Sequence, residues 1–268
     1  MKLKKRIGII GLGNMGSAIL KGIIKKTIFP KTKITGFDKD IKKVKKIRNM
    51  GIHISMGNKE LVNSSDIVIF AIKPQEVKEV LGEIHPFINK NKLIISILAG
   101  VKTLYIEKFA GKARVVRIMP NIAITIGEGV SAISKGKYAN SSDVKITEKI
   151  FSAMGKTFIV DESLMDLITA ISGSGPAYFF EIVEYLCLAA KKLGLSENIS
   201  RKLVIQTAKG AVEMLCRNPD PSFLTASVTS KKGTTIKALS VIRKMGVKGI
   251  LFKAISAAKK RAGQLSPS

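Results

Sequence analysis

Three glycines within six residues, Gly11-Leu12-Gly13-Asn14-Met15-Gly16, stand between a run of strand type, Lys5-Arg6-Ile7-Gly8-Ile9-Ile10, and a segment with helical apolar spacing from Ser17 to Ile24. Strand, glycine turn and helix in that order leave few architectures open. Gly11 permits a tight turn, Gly13 lets the backbone approach a diphosphate with no side chain in the way, and Gly16 lets the helix pack close to the strand. Backbone N–H groups at the start of the helix then face an anion.

The same grammar continues. Lys33 to Asp38 reads as a second strand, Ile41 to Asn49 as a helix, Asp66 to Ala71 as a strand, Gln75 to Ile84 as a helix, and Lys92 to Ile97 and Arg114 to Asn121 as further strands. Alternation of this kind predicts a doubly wound α/β domain with a mainly parallel sheet covered on both faces. Asp38 lies about 20 residues beyond the glycines, where a carboxylate accepts the hydroxyls of an adenosine ribose. That favours NADH. Lys39, with Lys42 and Lys43 one turn on, is equally suited to a 2'-phosphate, so NADPH stays open as the cofactor. Ala71, Lys73 and Pro74 fall beyond the carboxyl end of a strand, where ligands of such sheets bind. Asn121 ends another strand and serves either to orient a ligand or simply as a turn residue.

After Gly155 to Val160 the strand pattern stops. We place a domain boundary there, giving a dinucleotide-binding domain over 1–160 and an all-α domain over 161–268. Leu164 to Ile171 has helical spacing, Ser172-Gly173-Ser174-Gly175-Pro176 interrupts it, and helices follow over Ala177 to Leu193 and Ser200 to Arg217. Asn218-Pro219-Asp220-Pro221 breaks the last of these. Val228-Thr229-Ser230-Lys231-Lys232-Gly233-Thr234-Thr235 then opens into a helix over Ile236 to Met245, and another runs from Val247 to Ala262. Such a loop is either an anion site at a helix start or a lysine-rich solvated turn.

Composition narrows the partners. The net charge of +27 raises nucleic acid, but lysine outnumbers arginine roughly five to one and the cations are spread along the chain, which predicts a solvated basic surface and no nucleic-acid partner. No run of about 18 apolar residues occurs, and Met1 to Arg6 leads into glycines instead of a signal-peptide core, so we expect a soluble, cytoplasmic protein without a membrane segment. Cys187 and Cys216 read as reduced thiols, and with only His53 and His85 available no metal site is expected.

Five stretches carry a resemblance: Gly11 to Gly16, Ala71-Ile72-Lys73-Pro74-Gln75, Ser96-Ile97-Leu98-Ala99-Gly100, Arg117-Ile118-Met119-Pro120-Asn121 and Asp166 to Tyr178. Together with Val228 to Ile236 they resemble pyrroline-5-carboxylate reductase, in the same order and over essentially the whole chain. The resemblance implies reduction of 1-pyrroline-5-carboxylate to proline by NADPH or NADH, the last step of proline synthesis. It also implies a Rossmann N-terminal domain followed by an all-α C-terminal dimerisation domain, with the homodimer often built into a ring of dimers. By the same resemblance the cofactor contacts Gly11, Gly13, Asn14, Met15 and Gly16, with its nicotinamide near Ala71, Lys73 and Asn121. The substrate carboxylate meets the N–H groups of Gly233, Thr234 and Thr235 with help from Ser230, and the Thr235 hydroxyl lies beside the imine nitrogen. The catalytic pair implied is Thr235 and Ser230.

One departure stands out. The family has Ser-Pro-Gly-Gly-Thr-Thr where this chain has Ser230-Lys231-Lys232-Gly233-Thr234-Thr235. If the replaced glycine has a left-handed backbone, a lysine there costs about 1–2 kcal/mol. The acid common later in that helix is also missing, with Arg243 and Lys244 in its region. Two other readings compete. A β-hydroxyacid dehydrogenase-type oxidoreductase needs a catalytic lysine near the junction that holds Ser172 to Pro176, and a non-catalytic dinucleotide- or nucleic-acid-binding protein predicts salt-sensitive DNA binding without turnover.

Overall fold

The computed structural model describes residues 3–265, which fall into two compact units, one formed by 3–174 with 257–265 and the other by 175–256. The first unit begins β1 (Ile7–Ile10), α1 (Asn14–Lys25), β2 (Ile34–Phe37), α2 (Ile41–Ile47), β3 (His53–Ile54), α3 (Asn58–Ser64) and β4 (Ile67–Phe70). It continues through α4 (Val77–Ile84), β5 (Leu93–Ser96), α5 (Thr103–Ala110), β6 (Arg114–Pro120), β7 (Gly129–Lys135), α6 (Ser141–Phe151), β8 (Gly155–Ile159) and α7 (Met165–Ile168). The eight strands form one sheet in the order β3-β2-β1-β4-β5-β6-β7-β8. All neighbours are parallel except β6 and β7.

The pleat explains why β1, β4 and β5 are almost wholly apolar. Alternate side chains leave opposite faces, so Ile7, Ile9, Ile67, Ile69, Leu93 and Ile95 join Ile19, Leu20 and Ile23 of α1 in one core. Val68, Phe70 and Ile94 join Leu61 of α3, Val77 and Leu81 of α4 and Ile106 of α5 in the other. Both faces are thus roofed by helices, as a parallel sheet requires. The order of strands reverses between β1 and β4, which opens a crevice at their carboxyl ends.

The antiparallel β7 was not read from the sequence, because five of the seven residues of Gly129-Val130-Ser131-Ala132-Ile133-Ser134-Lys135 are small or polar. It is buried all the same, between β6 and β8. A second difference concerns Ser172 to Pro176, expected as an interruption. Residues Thr169–Gly173 instead form a π-helical turn in which the Ser174 N–H donates to the Thr169 carbonyl at 2.9 Å. The chain therefore stays helical there, and the wider turn absorbs a residue. Hydroxyls support it, with Thr169 donating to the Met165 carbonyl at 2.7 Å and Ser172 to that of Ile168 at 3.1 Å.

The second unit is helical: α8 (Gly175–Lys192), α9 (Glu197–Arg217), α10 (Pro221–Ser227), α11 (Thr234–Lys244) and the first part of α12 (Val247–Gly263). Asp220 caps α10 by accepting from the N–H groups of Ser222 and Phe223. No helix among the described residues is long and apolar enough to cross a membrane.

Arg117 ties the last α segment of the first unit to the sheet. Only 2% exposed on β6, it donates to Asp166 at 3.1 Å and lies 3.5 Å from Glu162, which itself accepts from the N–H and hydroxyl of Thr103 at 2.7 and 2.8 Å. Removing the guanidinium leaves two carboxylates facing each other with no cation. Arg117→Leu is expected to lose about 3–5 kcal/mol in urea unfolding. A loss below about 1 kcal/mol, the range of an exposed pair, would show that the cluster is merely superficial.

Candidate active site

The crevice is built from the turn after β1. Gly11 has φ of +94°, and a Cβ there would lie 2.5 Å from the Ala71 carbonyl oxygen. Gly16 sits under the turn, where a Cβ would collide with the carbonyl oxygen of Gly11. Gly13 differs from both: nothing lies within 4 Å of a Cβ built on it. The first and third glycines are demanded by backbone packing, and the middle one faces open space. Gly13 is also the N-cap of α1, whose first turn has neither a side-chain cap nor an acid. Its N–H groups are free to meet an anion.

A cavity of about 850 Å³ opens over this turn, lined by Gly11, Gly13, Asn14 and Met15 from the turn, Asp38 and Lys39 after β2, and Ala71, Lys73 and Pro74 after β4. Ile97 to Ala99 after β5 complete that side. The site residues expected in the first unit therefore come together, apart from Gly16 beneath the turn and Asn121. The Asn121 side-chain oxygen accepts from the Val130 N–H at 3.3 Å, and its own N–H donates to the Val130 carbonyl at 3.2 Å, so it locks the β6–β7 connection.

Asp38 is 9% exposed and faces inward. Its two oxygens accept from the N–H groups of Leu12 and Asp40, each at 2.8 Å, and the Lys43 ammonium stands at 3.2 Å. Burial raises the pKa of this carboxyl, but the Asp40 and Leu12 N–H groups and Lys43 outweigh it, leaving the value below the ordinary carboxylate range. The acid expected at a ribose is thus already engaged in bracing the glycine turn. Lys39 forms an ion pair with Glu76 at 2.6 Å, and Glu76 also accepts from the Lys73 N–H at 3.0 Å. The sequence reading missed Glu76 and Met56. Glu76 was detectable as the acid three residues into the turn opened by Lys73-Pro74. Met56, 94% exposed at the cavity rim, gives no such signal.

In the second unit, residues 230–233 form a turn in which the Gly233 N–H donates to the Ser230 carbonyl at 3.1 Å. Gly233 caps α11, with an extended backbone (φ −79°, ψ 169°). Thr27 is the one non-glycine with a left-handed φ among the described residues, so neither Lys231 nor Lys232 bears the strain expected of a lysine replacing a left-handed glycine. Because Gly233 spends its N–H on the turn, those of Thr234 and Thr235 remain as the free donors at this helix start.

Residues 162–265 match the family model for pyrroline-5-carboxylate reductase dimerisation, and residues 6–100 match that for coenzyme F420-dependent NADP oxidoreductases. The pyrroline-5-carboxylate reductase of Methanosarcina acetivorans is 39% identical over 97% of this chain and 98% of its own, and that of Arabidopsis thaliana 34% over 98% and 96%. The chain belongs to the pyrroline-5-carboxylate reductase family. A crystal structure of the Plasmodium falciparum pyrroline carboxylate reductase with NADP bound superposes at a TM-score of 0.90, with 32% identity and full coverage of both chains. No cluster of three potential metal ligands occurs among the described residues of this reductase.

Two outcomes follow from the glycine turn of this family member. Gly13→Ala should fold within about 1 kcal/mol of the parent, since only an N-cap preference changes, yet bind dinucleotide about tenfold or more weakly, as read by fluorescence titration. Asp38 adds a pH signature. Folding lowers its pKa, so its contribution is complete above the unfolded value of about 4 and is lost as pH falls through the folded value. Urea melts between about pH 2 and 5 should show a shallower acid decline for Asp38→Asn than for the parent.

Proposed function

We propose that this chain reduces 1-pyrroline-5-carboxylate to proline, with NADPH or NADH held in the cavity over the β1–α1 turn. The observation that carries the reading is the open cradle at Gly13 above the uncapped N-terminus of α1. That pairing suits a diphosphate and serves no packing purpose. A bound reduced nicotinamide supplies a hydride to the imine carbon.

The remaining work falls to the protein. As the C=N π bond breaks, the ring nitrogen must carry a proton, and the Thr235 hydroxyl is suited to hold a hydrogen bond there. The N–H groups of Thr234 and Thr235, with the Ser230 hydroxyl, anchor the carboxylate and fix which face of the ring is presented. Gly233 keeps the turn tight, since a Cβ there would collide with Ser230 Oγ. In the cavity, Asn14, Met15, Lys39, Ala71, Lys73 and Pro74 form the walls of the dinucleotide site, and Asp38 holds the turn that shapes it.

The active form is a homodimer. Within residues 175–256 only Gly175 and Ser200 are buried, whereas Phe179, Phe180, Leu186, Leu203, Ile250 and Phe252 are exposed on one copy. A helical unit with so little interior of its own needs a partner surface, and a second copy of α8 and α9 provides one. The dimers assemble into a ring, and the enzyme works in the cytoplasm.

The test is oxidation of NADPH and of NADH followed spectrophotometrically with 1-pyrroline-5-carboxylate. The parent should turn over with at least one of them. Thr235→Ala should lower kcat/KM roughly 10²-fold, the loss typical of one well-placed donor at a developing charge. Equal rates in parent and variant would remove Thr235 from the reaction.

A further inference from the structure

We propose that a second groove, on the outer side of α1, binds linear phosphate chains and that its occupation hinders dinucleotide binding. The groove has a volume of about 860 Å³, and six lysines line it: Lys21 and Lys25 from α1, Lys26 just after it, and Lys42, Lys43 and Lys46 from α2. Two carboxylates face them, Asp40 and Glu128. Asp40 is already committed, since its Oδ1 caps α2 by accepting from the Lys42 N–H at 2.9 Å.

Three features separate this groove from a merely solvated basic surface. The adjoining cavity is lined by Asp38, Asp40, Glu76, Glu79 and Glu83, and its Lys39 and Lys43 stand in ion pairs with Glu76 and Asp38. A uniform excess of lysine would have loaded both hollows alike. In the groove, by contrast, Lys21, Lys25, Lys26, Lys42 and Lys46 have no carboxylate at ion-pair distance among the described residues. Finally, Lys21 with Lys25 and Lys42 with Lys46 are like charges four residues apart, which weakens each helix unless an anion lies between them.

The lining defines the chemical class of the occupant. No arginine is present, so no planar fork fixes one carboxylate or phosphate in one geometry. Ammonium groups on flexible stems, repeated along two helices, suit an extended anion with a charge on every unit, bound through release of its counterions. Lys21 and Lys25 are separated by about 6 Å along the helix axis, so the array reads a line and not a point. The groove also shares Gly13, Asn14, Asp40 and Lys43 with the dinucleotide cavity. A phosphate chain reaching the start of α1 takes the same N–H groups as the dinucleotide diphosphate. This competitive part rests on the function proposed above; binding itself does not.

The experiment titrates sodium tripolyphosphate into the full-length protein by calorimetry at about 50 and 200 mM salt, a range over which multivalent phosphate contacts weaken steeply. The parent should bind, less tightly at the higher salt. Lys21→Gln/Lys25→Gln/Lys46→Gln should bind about tenfold or more weakly, each tenfold corresponding to about 1.4 kcal/mol. The control Lys59→Gln/Lys78→Gln/Lys108→Gln removes the same charge from α3, α4 and α5 and should lose far less. Tripolyphosphate should raise the apparent KM for NADPH in the parent and not in the groove variant. Equal losses in the two triple variants, or no binding by the parent, would overturn the proposal. So would a single-stranded oligonucleotide that needs the groove lysines while tripolyphosphate does not. If the parent shows no turnover, calorimetry still decides whether the groove binds phosphate, so the two readings fail separately.

Discussion

The close crossing of backbone at the end of β1 governs the rest of this molecule. Gly11 turns with a left-handed φ beneath the Ala71 carbonyl, and α1 begins directly above, with Gly16 against Gly11. A side chain at Gly16 pushes α1 away from the turn and separates Ile19, Leu20 and Ile23 from Ile7 and Ile9, and one at Gly11 collides with the backbone of Ala71 after β4. The same crossing sets the crevice, because the turn can present bare N–H groups only if the helix starts this close to the strand ends. Asp38 completes the arrangement from β2 by holding the Leu12 N–H. One short stretch of backbone thus fixes both the core and the site.

Much of this was legible in the sequence, and the reason is geometric. A fully buried parallel strand reads as a near-continuous apolar run, and Ile-Gly-Ile-Ile, Ile-Val-Ile-Phe and Leu-Ile-Ile-Ser announce themselves for that reason. The glycine turn is legible because no other residue satisfies its constraints at Gly11 and Gly16. β7 was hidden because it has alternating small residues and gains its burial from neighbours distant in sequence. The π turn was hidden for a different reason: Ser172-Gly173-Ser174-Gly175-Pro176 has the composition of a loop, and the wider turn closed by the Ser174 N–H on the Thr169 carbonyl, with hydroxyls on the Met165 and Ile168 carbonyls, is not visible in composition. The change from strand to helix after Ile159 and the division of compact units between Ser174 and Gly175 are separate landmarks, since Arg117 of β6 holds Glu162, just before α7, and Asp166, within it, to the sheet.

The candidate site was legible in its residues and less so in their roles. Spacing brings Asp38 to the crevice, but spacing carries no information about orientation, and the carboxylate is turned to two backbone N–H groups. Asn121 is likewise at the end of a strand and engaged with Val130. The cost imagined for Lys232 rested on a backbone conformation that the turn does not adopt. Total charge was the least informative quantity of all. A value of +27 says nothing of how acids and lysines are partitioned, and here they sort into adjoining hollows, one rich in carboxylates and one rich in ammonium groups.

That partition has a physical consequence for association. Long-range attraction depends on the summed field, so a strongly positive chain draws any anion toward it. Discrimination must come from short-range partners. In the cavity over the β1–α1 turn Asp38 and Glu76 are paired with Lys43 and Lys39, so short-range contact with an anion falls to the uncapped N–H groups at the start of α1. On the function proposed above, an incoming dinucleotide is attracted by the whole surface and seated where its diphosphate reaches α1, which lets a heavily charged protein remain selective. In the homodimer proposed above the apolar helices of residues 175–256 complete the logic: charge keeps copies apart at a distance, and the exposed Phe179, Phe180 and Phe252 offer the short-range gain for two of them to meet in one register.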